Sequence, residues 1–253
     1  MCKWYLNTVQ AMAYPGDMPR DTLTREQIVR AAIELLDAEG VEGLSMRRLG
    51  KRLGSAATAV YWHVKSKDDL VVLAGNEVWG EIELPDLSEV GWQTAATTMA
   101  LDLYAMLTRH PWLLTTMSTH HLYGPGKARH DDHLLAVYET AGFTGMDVDN
   151  AATTVFAFVL GTALGEVAEA TRRTRLLRDG VSDEEQLRDT IARVSEVAMR
   201  FPRLRARIQA WEDAAGAPPD QSFESSLQTI LDGLEAKLAA RGVGEHAVTS
   251  RRG

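Results

Sequence analysis

The 253-residue chain is 45% hydrophobic and 25% charged, the composition of a globular protein with a sizeable core in one large domain or two smaller ones. Its only cysteine, Cys2, excludes an internal disulfide framework and a cysteine-based metal site, which fits a cytoplasmic setting. The net charge of −8 is uneven: residues 20–67 carry nine Lys and Arg against six Asp and Glu, a net of +3, which leaves −11 on residues 68–253.

Residues 1–21, whose first nineteen hold one basic side chain and no sustained apolar stretch, read as a flexible arm rather than a signal peptide. From there on the pattern is helical and the expected class is all-α. Thr24 and Gln27 have the spacing of a capping box, and Ile28, Ala31, Ala32, Leu35 and Leu36 recur on one face of a first helix that Gly40 ends. Ser45 caps a short second helix with Met46, Leu49 and Leu53 inward, ended by Gly54. A third short helix spans about Ala56 to Trp62. Ser66 caps a fourth, expected to run to about Glu83 with Leu70, Leu73, Ala74, Glu77 and Val78 along it, closed by Pro85.

Longer helices follow. Trp92, Ala96, Met99, Leu103 and Leu107 form a stripe that stops at "RHPW". A loop at "YGPGK" leads into a helix ending at Gly142. Residues 148–170 are apolar nearly all round, so that helix is expected to be buried on most faces, with Gly161 and Gly165 marking close helix packing. "SDEEQLRDTIARVSEVAMRF" is amphipathic with Ser182 as cap. After the "AAGAPPD" linker a last helix carries Phe223, Leu227, Ile230, Leu231, Leu234 and Leu238. Residues 242–253 read as a flexible tail. No apolar run reaches the ~18 residues of a bilayer span, so no membrane partner is expected.

Two short helices joined at Gly54, the second made of small and hydroxyl-bearing residues ("SAATA"), form a helix-turn-helix suited to a groove ~12 Å wide. Screening confines electrostatics to roughly 8–10 Å, so the basic head can meet DNA despite the acidic remainder. Tyr61, Trp62 and His63 then end the recognition helix, polar tips toward phosphates and ring bodies against the scaffold. For Trp62, core packing and phosphate contact both remain open. Lys67 stands at the start of the fourth helix, where its charge and nearby backbone N–H groups can meet a phosphate.

The stretch "EGLSMRRLGKRLG…YWHVKSKDDL" resembles the DNA-binding domain of the tetracycline-repressor (TetR) family, in the branch of tetracycline repressors and actinobacterial antibiotic-export regulators. The resemblance is specific over about residues 24–83 and continues weakly, through "LTRHPWLL" and Gly142–Phe143, to about residue 240. It implies an N-terminal three-helix DNA-binding domain at 22–68 and a larger helical ligand-binding and dimerisation domain at 69–241. It implies DNA contacts at Ser45, Met46, Arg47, Ala57, Thr58, Ala59, Tyr61, Trp62, His63 and Lys67. It further implies a homodimer on a palindromic double-stranded operator and a pocket for a small-molecule inducer.

The residues support a pocket on their own account: Met and aromatic side chains suit a flat apolar ligand. Met99, Leu103, Tyr104, Met117, His120, His121, Leu134, Phe156 and Leu160 are the expected lining, with Met106, Tyr123 and Phe158 as further contributors. Where tetracycline repressors hold a drug–magnesium chelate with imidazole, amide and carboxylate groups, the resemblance aligns Met117, Met99 and Gly165. Thioethers and a glycine cannot supply that hard-ligand shell, so a more apolar polycyclic inducer is expected. "HDDH" at 130–133 offers one turn of ligating groups, too little to predict a metal site, and no cofactor is expected. No convergent nucleophile or acid–base set suggests an enzyme. The expected function is a repressor controlling an exporter gene, with a metabolite-responsive regulator of a biosynthetic or catabolic operon as the alternative.

Overall fold

Thr24 Oγ1 accepts the Gln27 N–H at 3.2 Å while Gln27 Oε1 accepts the Thr24 N–H at 2.9 Å, so the capping box starts α1 (Arg25–Gly43). The computed structural model describes residues 23–178, 183–213 and 223–249, and among them all regular structure is helical. The expected arm at 1–21, the Ser182 cap and the "AAGAPPD" linker lie outside the described residues. Ile28, Ala31, Ala32, Leu35 and Leu36 are buried, and Gly40 breaks α1 with φ +68°, a left-handed backbone that glycine adopts without strain.

Ser45 caps α2 (Met46–Arg52), its Oγ accepting the Arg48 N–H at 3.3 Å, and α3 (Ala57–Tyr61) follows the turn at Gly54. The two helices touch at Gly50. A Cβ there would stand 2.8 Å from Ser55 O and 3.0 Å from Ala57 N, both backbone atoms that cannot swing aside. Gly50→Ala is therefore expected to cost about 1–3 kcal/mol by overpacking, read as a loss of thermal stability in the intact chain together with weakened DNA binding.

Ser66 caps α4 (Lys67–Trp79), accepting the Asp69 N–H at 3.0 Å. This helix ends at Gly80, short of the expected Glu83, because Glu81 onward turns away before Pro85 is reached. The larger bundle consists of α5 (Trp92–Arg109), α6 (Trp112–Thr116), α7 (Pro125–Thr140), α8 (Met146–Arg178), α9 (Asp183–Ala198), α10 (Pro202–Asp213) and α11 (Phe223–Thr249). The last helix thus continues to Thr249, past the start of the expected tail. α5 packs on α8 and α7, and α11 closes over α5 and α8.

Three expectations about α8 change. Among its described side chains α8 is buried along Val148, Ala151, Val155, Val159 and Ala163, a single stripe at i, i+3 and i, i+4 steps, rather than on most faces. Within 146–172 an 18-residue window reaches a mean hydropathy of 1.6, enough by length and composition for a membrane span and contrary to the reading that no run is that apolar, yet the stripe packs into the bundle. Gly161 and Gly165 face open space rather than a helix of the same chain, with no atom within 4 Å of an added Cβ. In α11, Leu227 and Leu231 are buried within their own subunit, so the leucine stripe serves the core.

Candidate DNA-binding face and ligand cavity

α2 is tied to α1 by two ion pairs, Arg48 with Glu39 and Arg52 with Glu34. These use up two of its basic side chains. Arg47 and Lys51, one turn apart, are exposed and have no ion pair among the described residues, so α2 presents a cationic edge outward. Lys51 was not singled out from the sequence; only the pairing of its neighbours separates it from them.

On α3, Val60 alone is buried; Thr58, Tyr61, Trp62 and His63 are exposed and Ala57 and Ala59 are half-buried. The small-residue face and the aromatic cluster thus lie on one accessible surface. Trp62 is 88% exposed, so its ring body does not pack on the scaffold as expected. An indole left in water is unfavourable, and the position suits contact with another molecule. Met46, at 7% exposure, belongs to the core as the inward pattern of α2 had it, and is not the DNA contact that the resemblance implied, since the first residue of α2 points back toward α1. Ser45 spends its hydroxyl on the helix cap. Lys67 is half-buried at the first position of α4, where Asp68 and Asp69 share the turn and Ser66 already takes one N–H. Its ammonium, more than the helix end, is what remains for a phosphate. Arg25, His63 and Lys65 border a cleft of about 300 Å³ on the flank.

The expected ligand residues divide. A cavity of about 370 Å³ opens between α7 and α8, lined by Tyr123, Lys127, Asp131, Leu134, Leu135, Asp149, Ala152, Thr153 and Phe156. Its volume falls within the roughly 300–1,000 Å³ of small-molecule sites. Leu134 and Phe156 from the expected set are there, with Tyr123. Met99 and Leu103 are instead core residues at 1% and 3% exposure, because the α5 face that carries them is covered by α8. Tyr104 stacks on Phe223 of α11 with centroids 4.6 Å apart; burial, with Glu166 and Glu224 nearby, pushes its hydroxyl pKa up. Leu160 is half-buried one turn beyond Phe156, and Met117 is half-buried at the end of α6. Neither reaches the cavity wall. His120 sits 3.5 Å from Asp68 of α4, and His121 is exposed. His130 packs against Trp79 with the rings tilted and centroids 5.0 Å apart, and His133 binds the Pro85 carbonyl at 2.9 Å, so each end of "HDDH" has a structural partner.

Charges inside the cavity are specific. The Lys127 ammonium binds both oxygens of Asp131, one at 2.6 Å, and lies 4.8 Å from the Trp79 ring centroid and 5.3 Å from that of Phe156. Burial would raise the Asp131 pKa, but hydrogen bonds from His130 and Lys127 and the Lys127 charge outweigh it and hold the carboxyl below its usual range. Trp79 belongs to α4, so the cavity wall touches the helix whose other end carries Lys67. The contact is reinforced next door. Gly126 N–H donates to Asn76 Oδ1 at 2.8 Å, and a Cβ on Gly124 or Gly126 would collide with Asn76 at 2.5 and 2.4 Å.

Comparison with known proteins agrees with this architecture. Residues 28–74 match the family described as bacterial regulatory proteins, tetR family, and residues 84–238 match the tetracyclin repressor-like C-terminal domain. The HTH-type transcriptional repressor DrrR1 of Streptomyces coeruleorubidus is 34% identical over 232 residues, covering 90% of this chain and 83% of that protein. The tetracycline repressor protein class A from transposon 1721 of Escherichia coli is 30% identical over 222 residues, covering 85% and 93%. The crystal structure of the Streptomyces coelicolor TetR family protein ActR in complex with actinorhodin has a TM-score of 0.66 at 25% identity, covering 86% of this chain and 97% of that one. The helix-turn-helix, the helical bundle and these matches together place the chain in the TetR family of bacterial regulatory proteins, as a transcriptional regulator and not an enzyme.

Proposed function

We propose that the chain is a cytoplasmic homodimeric repressor that leaves a palindromic operator when a fused-ring, largely apolar compound fills the α7–α8 cavity, and that it controls an exporter gene. The observation that carries this reading is the placement of Trp79: one side chain of α4 meets the cavity through Lys127, while Lys67 at the opposite end of α4 stands beside the DNA-binding face. A ligand shifts the equilibrium only by its differential affinity for the two arrangements, and a cavity wall braced on α4 through the Lys127–Trp79 contact supplies that difference. Relatives named as repressors of tetracycline type, and a neighbour solved with actinorhodin, support both the direction of control and the ring-rich ligand. The dimer is supported by small exposed residues on two adjacent helices, Ala157, Gly161 and Ala168 on α8 and Thr229, Gly233 and Ala236 on α11, which allow close approach of a second bundle.

The test begins with selection of an operator from random DNA. Half-sites are expected with centres roughly 34–36 Å apart. Fused-ring compounds are then titrated against the complex with and without magnesium. Release without magnesium is the expected result, and Phe156→Ala is expected to abolish it while leaving DNA binding intact. On the DNA side, Arg47→Ala is expected to cost about 1–3 kcal/mol and to relax selection at one base pair per half-site. Lys67→Ala is expected to weaken all sequences alike and to flatten the salt dependence. Measuring both variants across a panel of operator mutants at two salt concentrations separates base reading from phosphate contact.

A further inference from the structure

The cavity's charges do not cancel. Lys127 is spent on Asp131, ammonium against carboxylate, which leaves Asp149 on the opposite wall, exposed in the first turn of α8. Asp149 has no ion-pair partner among the described residues. A neutral ring system settling over this wall would strip water from an unpaired carboxylate, and an anionic one would add repulsion. A cation would remove both costs. The walls are also already shown to hold one, since the Lys127 ammonium lies over two aromatic rings, one of which, Phe156, faces the cavity.

We propose that the α7–α8 cavity selects ring-rich ligands that carry a protonated amine, with Asp149 as the group that pairs with it. The proposal rests on this cavity being the ligand site. The aromatic body lies among Leu134, Leu135, Ala152 and Phe156, and the amine reaches the cavity mouth at the start of α8. Asp149 therefore acts as a specificity determinant, while the apolar wall supplies most of the affinity.

The test uses three anthraquinones with the same ring and linker, ending in a primary amine, its N-acetyl derivative or a carboxylate. Each is titrated calorimetrically against the intact protein without DNA. The amine is expected to bind about tenfold more tightly than the N-acetyl compound, more than an open surface pair provides because the ligand covers Asp149, and the carboxylate is expected to bind most weakly. The preference is expected to fade with added salt and to vanish in Asp149→Asn, while Asp132→Asn, an exposed carboxylate outside the cavity, leaves it unchanged. Phe156→Ala is expected to weaken all three compounds alike. Equal binding of the three, or a preference that survives Asp149→Asn, overturns the proposal and leaves the cavity as the ligand site. Failure of all three to bind, or binding indifferent to Phe156→Ala, overturns the assignment of the cavity and the proposal with it.

Discussion

Leu164→Arg is expected to give a folded monomer whose operator affinity has fallen by about 10²–10⁴-fold, the factor that joining two half-site readers supplies. Leu164 is 55% exposed on the open face of α8, between Gly161 and Ala168, and makes no contribution to the buried stripe on the other side. Its substitution therefore leaves the subunit core intact. Across a twofold axis, however, each arginine would have to be accommodated where the face is made of small residues that admit close approach, and its bulk and buried charge would oppose the pairing in both subunits. Sedimentation at micromolar concentration should show a monomer with wild-type helical content by circular dichroism. A stable dimer in this variant would remove α8 from the interface.

Asp37→Ala is expected to lower stability by about 2–4 kcal/mol, which thermal unfolding measures directly. One oxygen of Asp37, on α1, receives the Trp112 indole N–H at 2.8 Å and lies 2.7 Å from His110 Nδ1. Both partners are buried at 3% exposure, so removing the carboxylate takes away their shared partner and leaves only water entering from the exposed side of Asp37 to replace it. The other ring nitrogen of His110 is 3.3 Å from Glu81, which also binds Arg109 at 2.8 Å. This cluster joins the first helix of the DNA-binding domain to the α5–α6 corner of the bundle. Beyond stability, Asp37→Ala is expected to leave ligand affinity unchanged while raising the ligand concentration needed for operator release, because the corner no longer holds α1 in register with α6. Asp37→Asn, which keeps an acceptor oxygen, should recover most of both.

Local chemistry was legible where it acts over three or four residues. The Thr24–Gln27 box, the Ser45 and Ser66 caps and the break at Gly40 all follow from side chains meeting the nearest backbone groups, and each is present. Proline was read only as a stop, yet Pro125 and Pro202 begin helices, α7 and α10, since a missing N–H costs nothing in a first turn. The cavity was less legible. Its apolar composition was visible, but periodicity does not say which helix covers which face. Met99 and Leu103 look like lining until α8 is seen to lie over them, and the i, i+4 pair of Lys127 and Asp131 drew no attention because only the fold sets it beside the α4 and α8 rings at the cavity. Met46 failed for the opposite reason: its place in the motif suggested contact, while its apolar side chain obeyed the core.

The glycines at 124 and 126 carry a consequence for how such a regulator diversifies. They let the start of α7 lie directly on Asn76 of α4, backbone against backbone, so that displacement of one helix is passed to the other without slack. This linkage stands apart from the α8 wall, where Asp149, Ala152, Thr153 and Phe156 face the cavity. Substitutions on α8 can therefore retune what is recognised while the transmission stays untouched. Any side chain larger than hydrogen at 124 or 126 would instead push the start of α7 off Asn76 and open the contact between the two helices.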